Sequence, residues 1–377
     1  MAALRTSTAI KIAAAVISVS APYNHHAAGE FARIASSMSC GDSTHGGTRG
    51  LVGWTWPPLE DGGVPAPQPS GMSSQYIDVL ENTTAGTFGT VINVARSGAN
   101  SRVVVIAFRA TMVQQNCLQT LDEHLAPYPP QRELQVHRGF YNAYASLRAQ
   151  TLEAISRVVE RPGSVERFVL TGWSLGGAMA SCLTMDLRAR GYEQPITVYA
   201  FGAPRVGDAA FASAFRALHD VDAYNVWHRG DPVPECGLFV PHGAEGCTQY
   251  ERGFRQAIGR TVWYPAGLGG RSEHVVCEAD SRDPECTPRA GDLSADDHLF
   301  YLGEGMMCCE PAGDDAPMLA PAEGGAPVLE TLQARCRAPF AVVCNPEGRH
   351  EPEERGEVRA ALKANVGGRP HEALQPE

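Results

Sequence analysis

The sequence predicts an α/β fold with a mostly parallel central sheet and helices on both faces. Three observations carry this expectation. Apolar, β-branched runs alternate with segments of helical periodicity through the middle of the chain. One of those runs, residues 165–170, passes through Gly172 and Trp173 into Ser174, and a helical pattern follows at once. Length and composition suit one large domain with appendages, at 377 residues, 44% hydrophobic and 19% charged.

The elements follow in order. Residues 30–39 read as a short amphipathic helix ending at Cys40-Gly41, and residues 41–72, rich in Gly, Pro and Ser, as irregular structure. Residues 87–94 and 102–108 are β-branched runs parted by Ser97-Gly98-Ala99-Asn100, the pattern of an antiparallel hairpin. Helical periodicity marks residues 142–160, and the helix after Ser174 extends to about Arg190. Strands are expected at 196–201 and 223–227, with a helix at 208–218 between them. Residues 311–377 turn to Pro, Gly, Ala, Glu and Arg and read as a loosely structured tail.

The ends and the charge bound the partners. No acidic residue precedes Glu30, and Arg5 and Lys11 lead into the apolar stretch 12–19 and then Ser20-Ala21. Residues 1–21 therefore read as a secretory signal peptide, with an organellar transit peptide as the alternative. The main domain is expected at 22–310. A formal net charge of −11 argues against nucleic acid or anionic lipid as an electrostatically held partner. No apolar run is long enough to be a transmembrane segment. The oligomeric state is left open.

Eleven cysteines favour an oxidising compartment. Cys236, Cys247, Cys277, Cys286, Cys308, Cys309, Cys336 and Cys344 lie in the C-terminal part without paired CxxC spacing, so a metal site is the weaker reading. Cys182, in the apolar start of the helix after Ser174, reads as a buried free thiol. Cys236 and Cys247 are paired here on proximity in sequence alone. Asn82-Thr83-Thr84 is a glycosylation sequon of a kind common by chance.

Residues 169–177 read VLTGWSLGG. A serine at a strand-to-helix turn, with glycine two residues before and two after, is the pattern of a nucleophile elbow. The turn holds the serine in a sparsely allowed backbone conformation, and the glycines let strand and helix approach without a Cβ clash. The helix N-terminus offers unpaired N–H groups to a developing oxyanion.

A serine hydroxyl needs a base, and the base needs a group that holds its tautomer. Asp231 follows the strand 223–227 and the turn His228-Arg229-Gly230, at a strand C-terminus where catalytic groups of such sheets lie. Its rivals are weaker: Asp208 reads as a helix cap, and Asp220 and Asp222 precede the strand. Among the later histidines, His242, His274, His298, His350 and His371, His298 sits where a polar loop enters an apolar stretch. His274 leads into Val275-Val276 and reads as structural. The N–H of Leu175 is one oxyanion donor, and Thr111, after the strand 102–108, is the second candidate; capping is the alternative use of that threonine.

These segments resemble the class 3 (fungal-type) lipase family of the α/β-hydrolase superfamily. AFRAT at 107–111 is similar to AFRGT, VHRGFYNAY at 136–144 to the HxGF segment, and TGWSLGG at 171–177 to TGHSLGG. FGAPRVGD at 201–208 is similar to FGxPRVGN, and DPVP at 231–234 to the segment of the catalytic aspartate. Residues 275–287 with DDHLFYLG at 296–303 resemble the cysteine-bounded loop and catalytic histidine segment. The resemblance implies an α/β-hydrolase fold over roughly residues 30–309, with Ser174 as nucleophile, Asp231 as orienting acid and His298 as base. It implies Thr111 and Leu175 as oxyanion donors, a Cys277–Cys286 bridge, and a bridge from Cys40 to Cys308 or Cys309.

The departures carry expectations too. Trp173 stands where the family usually has His, and its bulk narrows the site. Ala110 replaces a Gly, which costs energy if that position needs a positive φ. Residues 112–126 correspond to the lid, with Asn116-Cys117-Leu118 where Asn-Trp-Leu is frequent, and are sparse in apolar side chains. The expected function is a secreted serine carboxylester hydrolase, a triacylglycerol or acylglycerol lipase. It takes lipid esters, with transient contact at a lipid interface, and needs no cofactor and no metal. The alternatives are a feruloyl-type small-ester esterase and an inactive lipase-like binding protein.

Overall fold

The structure is a computed structural model describing residues 22–39, 72–96, 100–112, 116, 119–120, 122–129, 131–236, 253–255, 259–266, 273–278, 286, 288 and 293–306. Its centre is an eight-stranded sheet in the order β1-β2-β3-β6-β7-β8-β9-β10. Strands β1 (Met72–Asn82), β2 (Thr87–Arg96) and β3 (Ser101–Phe108) form an antiparallel meander. From β3 the sheet runs parallel through β6 (Ser164–Trp173), β7 (Ile196–Phe201), β8 (Val221–His228) and β9 (Arg260–Tyr264). The edge strand β10 (Val275–Glu278) pairs antiparallel with β9. A separate ribbon pairs β4 (Leu125–Tyr128) with β5 (Gln131–His137).

The apolar runs read as strands are apolar because both faces of the sheet are covered. All of β7 is buried, as expected for a parallel strand between helical layers. The two-residue period sorts β3 cleanly. Val104, Ile106 and Phe108 join one core with α2 (Arg138–Val159) and α3 (Leu175–Ala189). Val103, Val105 and Ala107 join the opposite core with α1 (His25–Ser39). A third helix of the α2 side, α4 (Ala209–Arg216), buries Phe211 and Phe215. Buried Asp186 of α3 receives Tyr144 and Arg148 of α2, as well as Arg190, and so ties the two helices together.

Several boundaries differ from the sequence reading. Helix α1 begins at His25 rather than residue 30, because the Asn24 side chain accepts from the Ala27 N–H at 2.9 Å. Helix α2 begins at Arg138 rather than residue 142. Its cap is His137, whose Nδ1 accepts from the Phe140 N–H at 3.2 Å. A histidine cap lies outside the Ser, Thr, Asp and Asn set on which cap recognition rests. Residue 72, assigned to irregular structure, opens β1, a strand whose sequence MSSQYIDVLEN has few β-branched residues. Asp208 caps α4 as expected, accepting from the Phe211 N–H at 2.8 Å.

Cys277 and Cys286 are bridged, and Cys182 is a buried free thiol. Cys236 closes α5 (Val233–Cys236), with its side chain outside the described set. Cys40, Cys247, Cys308 and Cys309, the leader 1–21 and the tail 311–377 lie outside the described residues. No described helix is long and apolar enough to cross a membrane.

Candidate active site

Ser174 stands between β6 and α3 at φ 53° and ψ −122°, a backbone conformation that costs a non-glycine residue roughly 1–3 kcal/mol. The surrounding packing over-determines it. A Cβ on Gly172 would lie 2.4 Å from the Gly176 carbonyl carbon, and one on Gly176 would lie 2.2 Å from the Phe108 carbonyl oxygen. Both neighbours are backbone and have nowhere to go. The Ser174 N–H donates to the Phe201 carbonyl at 2.9 Å, which fixes the turn to β7. Strand β6, the turn and helix α3 thus present one serine at the carboxyl end of the parallel sheet.

Asp231 sits just beyond β8 and is fully buried. Its Oδ1 accepts from the Val233 N–H at 2.8 Å. Its Oδ2 accepts from His298 Nδ1 at 2.8 Å and from the Tyr301 hydroxyl. Burial, followed by the Asp231 charge, pushes the Tyr301 phenol well above its ordinary range, so it keeps its proton and donates it. The Asp231 carbonyl accepts from Trp227 Nε1 at 2.7 Å. Room for the Asp231, His298 and Tyr301 side chains comes from Gly202, at φ +56°. A Cβ there would lie 2.5 Å from the Tyr301 hydroxyl, 2.6 Å from Asp231 Oδ2 and 2.9 Å from His298 Nδ1.

His298 lies in a short 3-10 turn, Ala295–Leu299, and is buried. Because its Nδ1–H serves the carboxylate, Nε2 is the nitrogen left with a lone pair, and it is shielded from solvent. The turn is moored on several sides. Asp297 Oδ2 accepts from the Gly230 N–H at 3.1 Å, and the Ser294 N–H donates to the Gly230 carbonyl at 2.8 Å. His228 Nδ1 donates to the Asp297 carbonyl at 2.9 Å, and burial pushes that histidine toward its neutral form. Beyond the turn, β11 (Phe300–Tyr301) pairs with β12 (Glu304–Gly305). Ser36 of α1 donates to the Gly305 carbonyl at 2.6 Å, and Arg33 pairs with Glu304 at 3.2 Å.

The end of β3 rests on the elbow through Phe108 and Gly176 and carries Arg109, Ala110 and Thr111 forward from it. Thr111 is fully buried, and its hydroxyl meets that of Thr120 at 3.2 Å. Thr120 in turn donates to the Asn116 carbonyl at 2.9 Å. Asn116 and Gln119 both donate to the Ala85 carbonyl in the β1–β2 turn, at 3.3 and 3.2 Å. Asp122 takes two 2.6 Å bonds from Arg138 at the start of α2. Gly139 is required there: a Cβ would lie 1.6 Å from the Gln119 carbonyl oxygen. The described residues of 112–126 are therefore pinned to the β1–β2 turn and to α2 by polar contacts.

Residues 105–240 match the Lipase (class 3) family model. The resemblance read from the sequence to the class 3 lipases is borne out. Among curated relatives, Secreted mono- and diacylglycerol lipase 1 of Fusarium solani is 38% identical over 99 residues, 26% of this chain and 28% of that protein. Phospholipase A1-II 7 of Oryza sativa subsp. indica is 29% identical over 174 residues, 38% of this chain and 42% of that protein. The chain thus spans less than half the length of these two relatives. Among solved structures, the native Rhizomucor miehei lipase propeptide complex superposes with a TM-score of 0.53 at 20% identity, covering 75% of this chain and 81% of that one. The architecture is the α/β-hydrolase fold.

Two departures from the class 3 lipase pattern can be placed. Ala110 is not among the residues at positive φ, so alanine for glycine carries no left-handed strain there. Trp173 is fully buried, with its indole against the His298 ring and its Nε1–H on the His298 carbonyl. Of the rival candidates, Asp208 is a helix cap, Asp220 sits in the turn before β8, and Asp222 lies near the start of β8. His274 packs among Tyr23, His25 and Tyr264. His242, His350 and His371 lie outside the described residues. Sequence reasoning missed Tyr301, Gly202, His228 and Asp297. A tyrosine three residues after the histidine, and a glycine directly after the β7 run, were the available signals.

Proposed function

We propose that this chain is a serine carboxylester hydrolase acting on acylglycerols or related ester lipids. Ser174 Oγ attacks the ester carbonyl carbon while its proton passes to His298 Nε2, and the carbonyl electron pair moves onto oxygen. The N–H of Leu175 and Thr111 stabilise that oxyanion. Collapse expels the alcohol, which takes the proton from His298, and leaves an acyl-Ser174 ester. Water, deprotonated by His298, repeats the sequence and releases the acid. Asp231 holds the Nδ1–H tautomer throughout. The observations that support this reading most directly are the buried 2.8 Å bond from His298 Nδ1 to Asp231 Oδ2, the strained backbone of Ser174, and the Trp173 bond that links the His298 segment to the elbow.

The substrate class draws on the relatives, whose names describe a mono- and diacylglycerol lipase and a phospholipase A1. A small-ester esterase is the second reading, favoured by the polar anchoring of Asn116, Gln119 and Asp122. The leader 1–21 and the cysteine content fit a secreted protein. A fluorophosphonate probe together with an ester chain-length panel tests the proposal. Labelling of the folded protein that disappears in Ser174→Ala is expected, with long-chain emulsions hydrolysed. Absence of labelling, or labelling undiminished in Ser174→Ala, sinks the enzyme reading. Turnover confined to short soluble esters moves it to the esterase. A kcat/KM that stays flat down to about pH 4 counts against histidine as the base.

A further inference from the structure

Trp173 is the last residue of β6 and the residue directly before Ser174. Its side chain is fully buried, so water does not compete for the indole N–H. That N–H donates to the backbone carbonyl of His298 at 2.9 Å. The indole and imidazole centroids lie 4.8 Å apart, with the ring planes inclined at 37°. One side chain therefore holds the base twice, by backbone and by ring, while its own backbone carries the nucleophile.

We propose that Trp173 is a positioning residue for the acyl-transfer reaction: it sets the His298 turn relative to Ser174 and lays an aromatic face beside the imidazolium formed when His298 takes the serine proton. The inference rests on the assignment of Ser174 and His298 as nucleophile and base. Nucleophile and base come from segments 124 positions apart, from 298 − 174, and must meet within hydrogen-bond reach. An error of about 1 Å in such a pair costs roughly 100-fold in rate. The His298 turn leads into the two-stranded β11–β12 ribbon, which is separate from the main sheet, and the Trp173 bond ties the turn to the elbow itself. A cation within about 6 Å of an indole centroid is attracted by the ring quadrupole, more strongly when desolvated. The class 3 pattern usually has a histidine at this position. A second imidazole there would titrate beside the first, whereas indole adds no charge at any working pH. Among the described residues, the titratable and charged groups around His298 include Asp231 on its Nδ1, Tyr301 on the same carboxylate, His228 and Asp297 at the mooring of the turn, and Arg229 paired with Asp297 at 3.7 Å.

Trp173→Phe keeps a ring and removes the donor; Trp173→Leu removes both. Active sites are titrated with a fluorophosphonate, and kcat per titrated serine and KM are measured on p-nitrophenyl butyrate across pH. Trp173→Phe is expected to lower kcat per site about 10-fold with KM within about twofold, and Trp173→Leu to lower it about 100-fold. In Trp173→Leu the acidic limb of kcat/KM moves to lower pH by about half to one unit, because the imidazolium has lost its aromatic neighbour. Fewer titratable sites with kcat per site and the acidic limb both unchanged mean that the indole only fills space, and overturn the inference while leaving the triad standing. Wild-type protein that does not label overturns the triad reading, and this inference with it.

Discussion

Ser174 and His298 are placed by opposite means. The serine is placed by backbone: two glycines, a strand and a helix leave it a single conformation, and the nearest would-be clashes are with carbonyl groups. The histidine is placed by side chains: Trp173, Asp231, Asp297, Tyr301 and Ser36 reach in from β6, the turn after β8, the histidine segment itself and α1. A backbone-built site fails all at once, because a Cβ cannot be accommodated by degrees. A site built from hydrogen bonds fails in steps, roughly one bond at a time.

The largest effect is expected where that contrast is broken on the serine side. Gly176→Ala puts a Cβ 2.2 Å from the Phe108 carbonyl oxygen. It should destabilise the fold by about 3 kcal/mol or more and remove activity, read by urea unfolding and probe labelling. A stable, active Gly176→Ala protein would show that the elbow is not backbone-limited.

Tyr301→Phe comes next and tests the histidine side. It deletes one bond to a buried carboxylate, worth about 1.5–3 kcal/mol, so kcat is expected to fall roughly 10- to 100-fold with the fold retained. Unchanged kcat would mean that the Val233 N–H and His298 alone hold Asp231.

His137 sharpens the comparison by supplying a histidine used only for structure. It caps α2 through Nδ1, and burial pushes it down to about 3. Its folded value lies below the unfolded one of about 6.5, so between these limits the unfolded chain binds the extra proton. Stability is therefore present above about pH 6.5 and is lost as pH falls toward 3, by at most about 1.4 kcal/mol per pH unit from this group. Thermal melts of wild type and His137→Asn over that window should converge as the pH drops. Parallel curves would assign the acid sensitivity to other groups.

The smallest effect belongs to the outermost mooring. Ser36→Ala removes the 2.6 Å bond to the Gly305 carbonyl and should cost about 1 kcal/mol of stability, with kcat reduced only a few-fold. A loss as large as that of Tyr301→Phe would place α1 among the determinants of the base.

The same contrast governs what could be read from sequence. Ser174 was legible because its elbow is local: strand, glycines and helix follow within one short run. Asp231 was legible from its place after β8, and the parallel strands from their buried apolar runs. The start of α2 was not, because its cap is a histidine, and β1 was not, because its pairing with β2 rather than its composition makes it a strand. Trp173 was read as bulk that narrows the site; its bond to His298 spans 125 positions and leaves no local trace. Tyr301, Gly202 and Asp297 take their roles from partners that sequence does not bring near.

The contact between Ser36 and Gly305 joins positions 269 apart. On a ribosome that makes the chain from its N-terminus, α1 is finished early, yet the hairpin it clasps is translated last among the described segments. The elbow and its sheet can be complete while the base is still inside the exit tunnel. On the proposed assignment, the nascent chain carries Ser174 without His298 while the intervening 124 positions (298 − 174) are made, and hydrolytic competence arrives late.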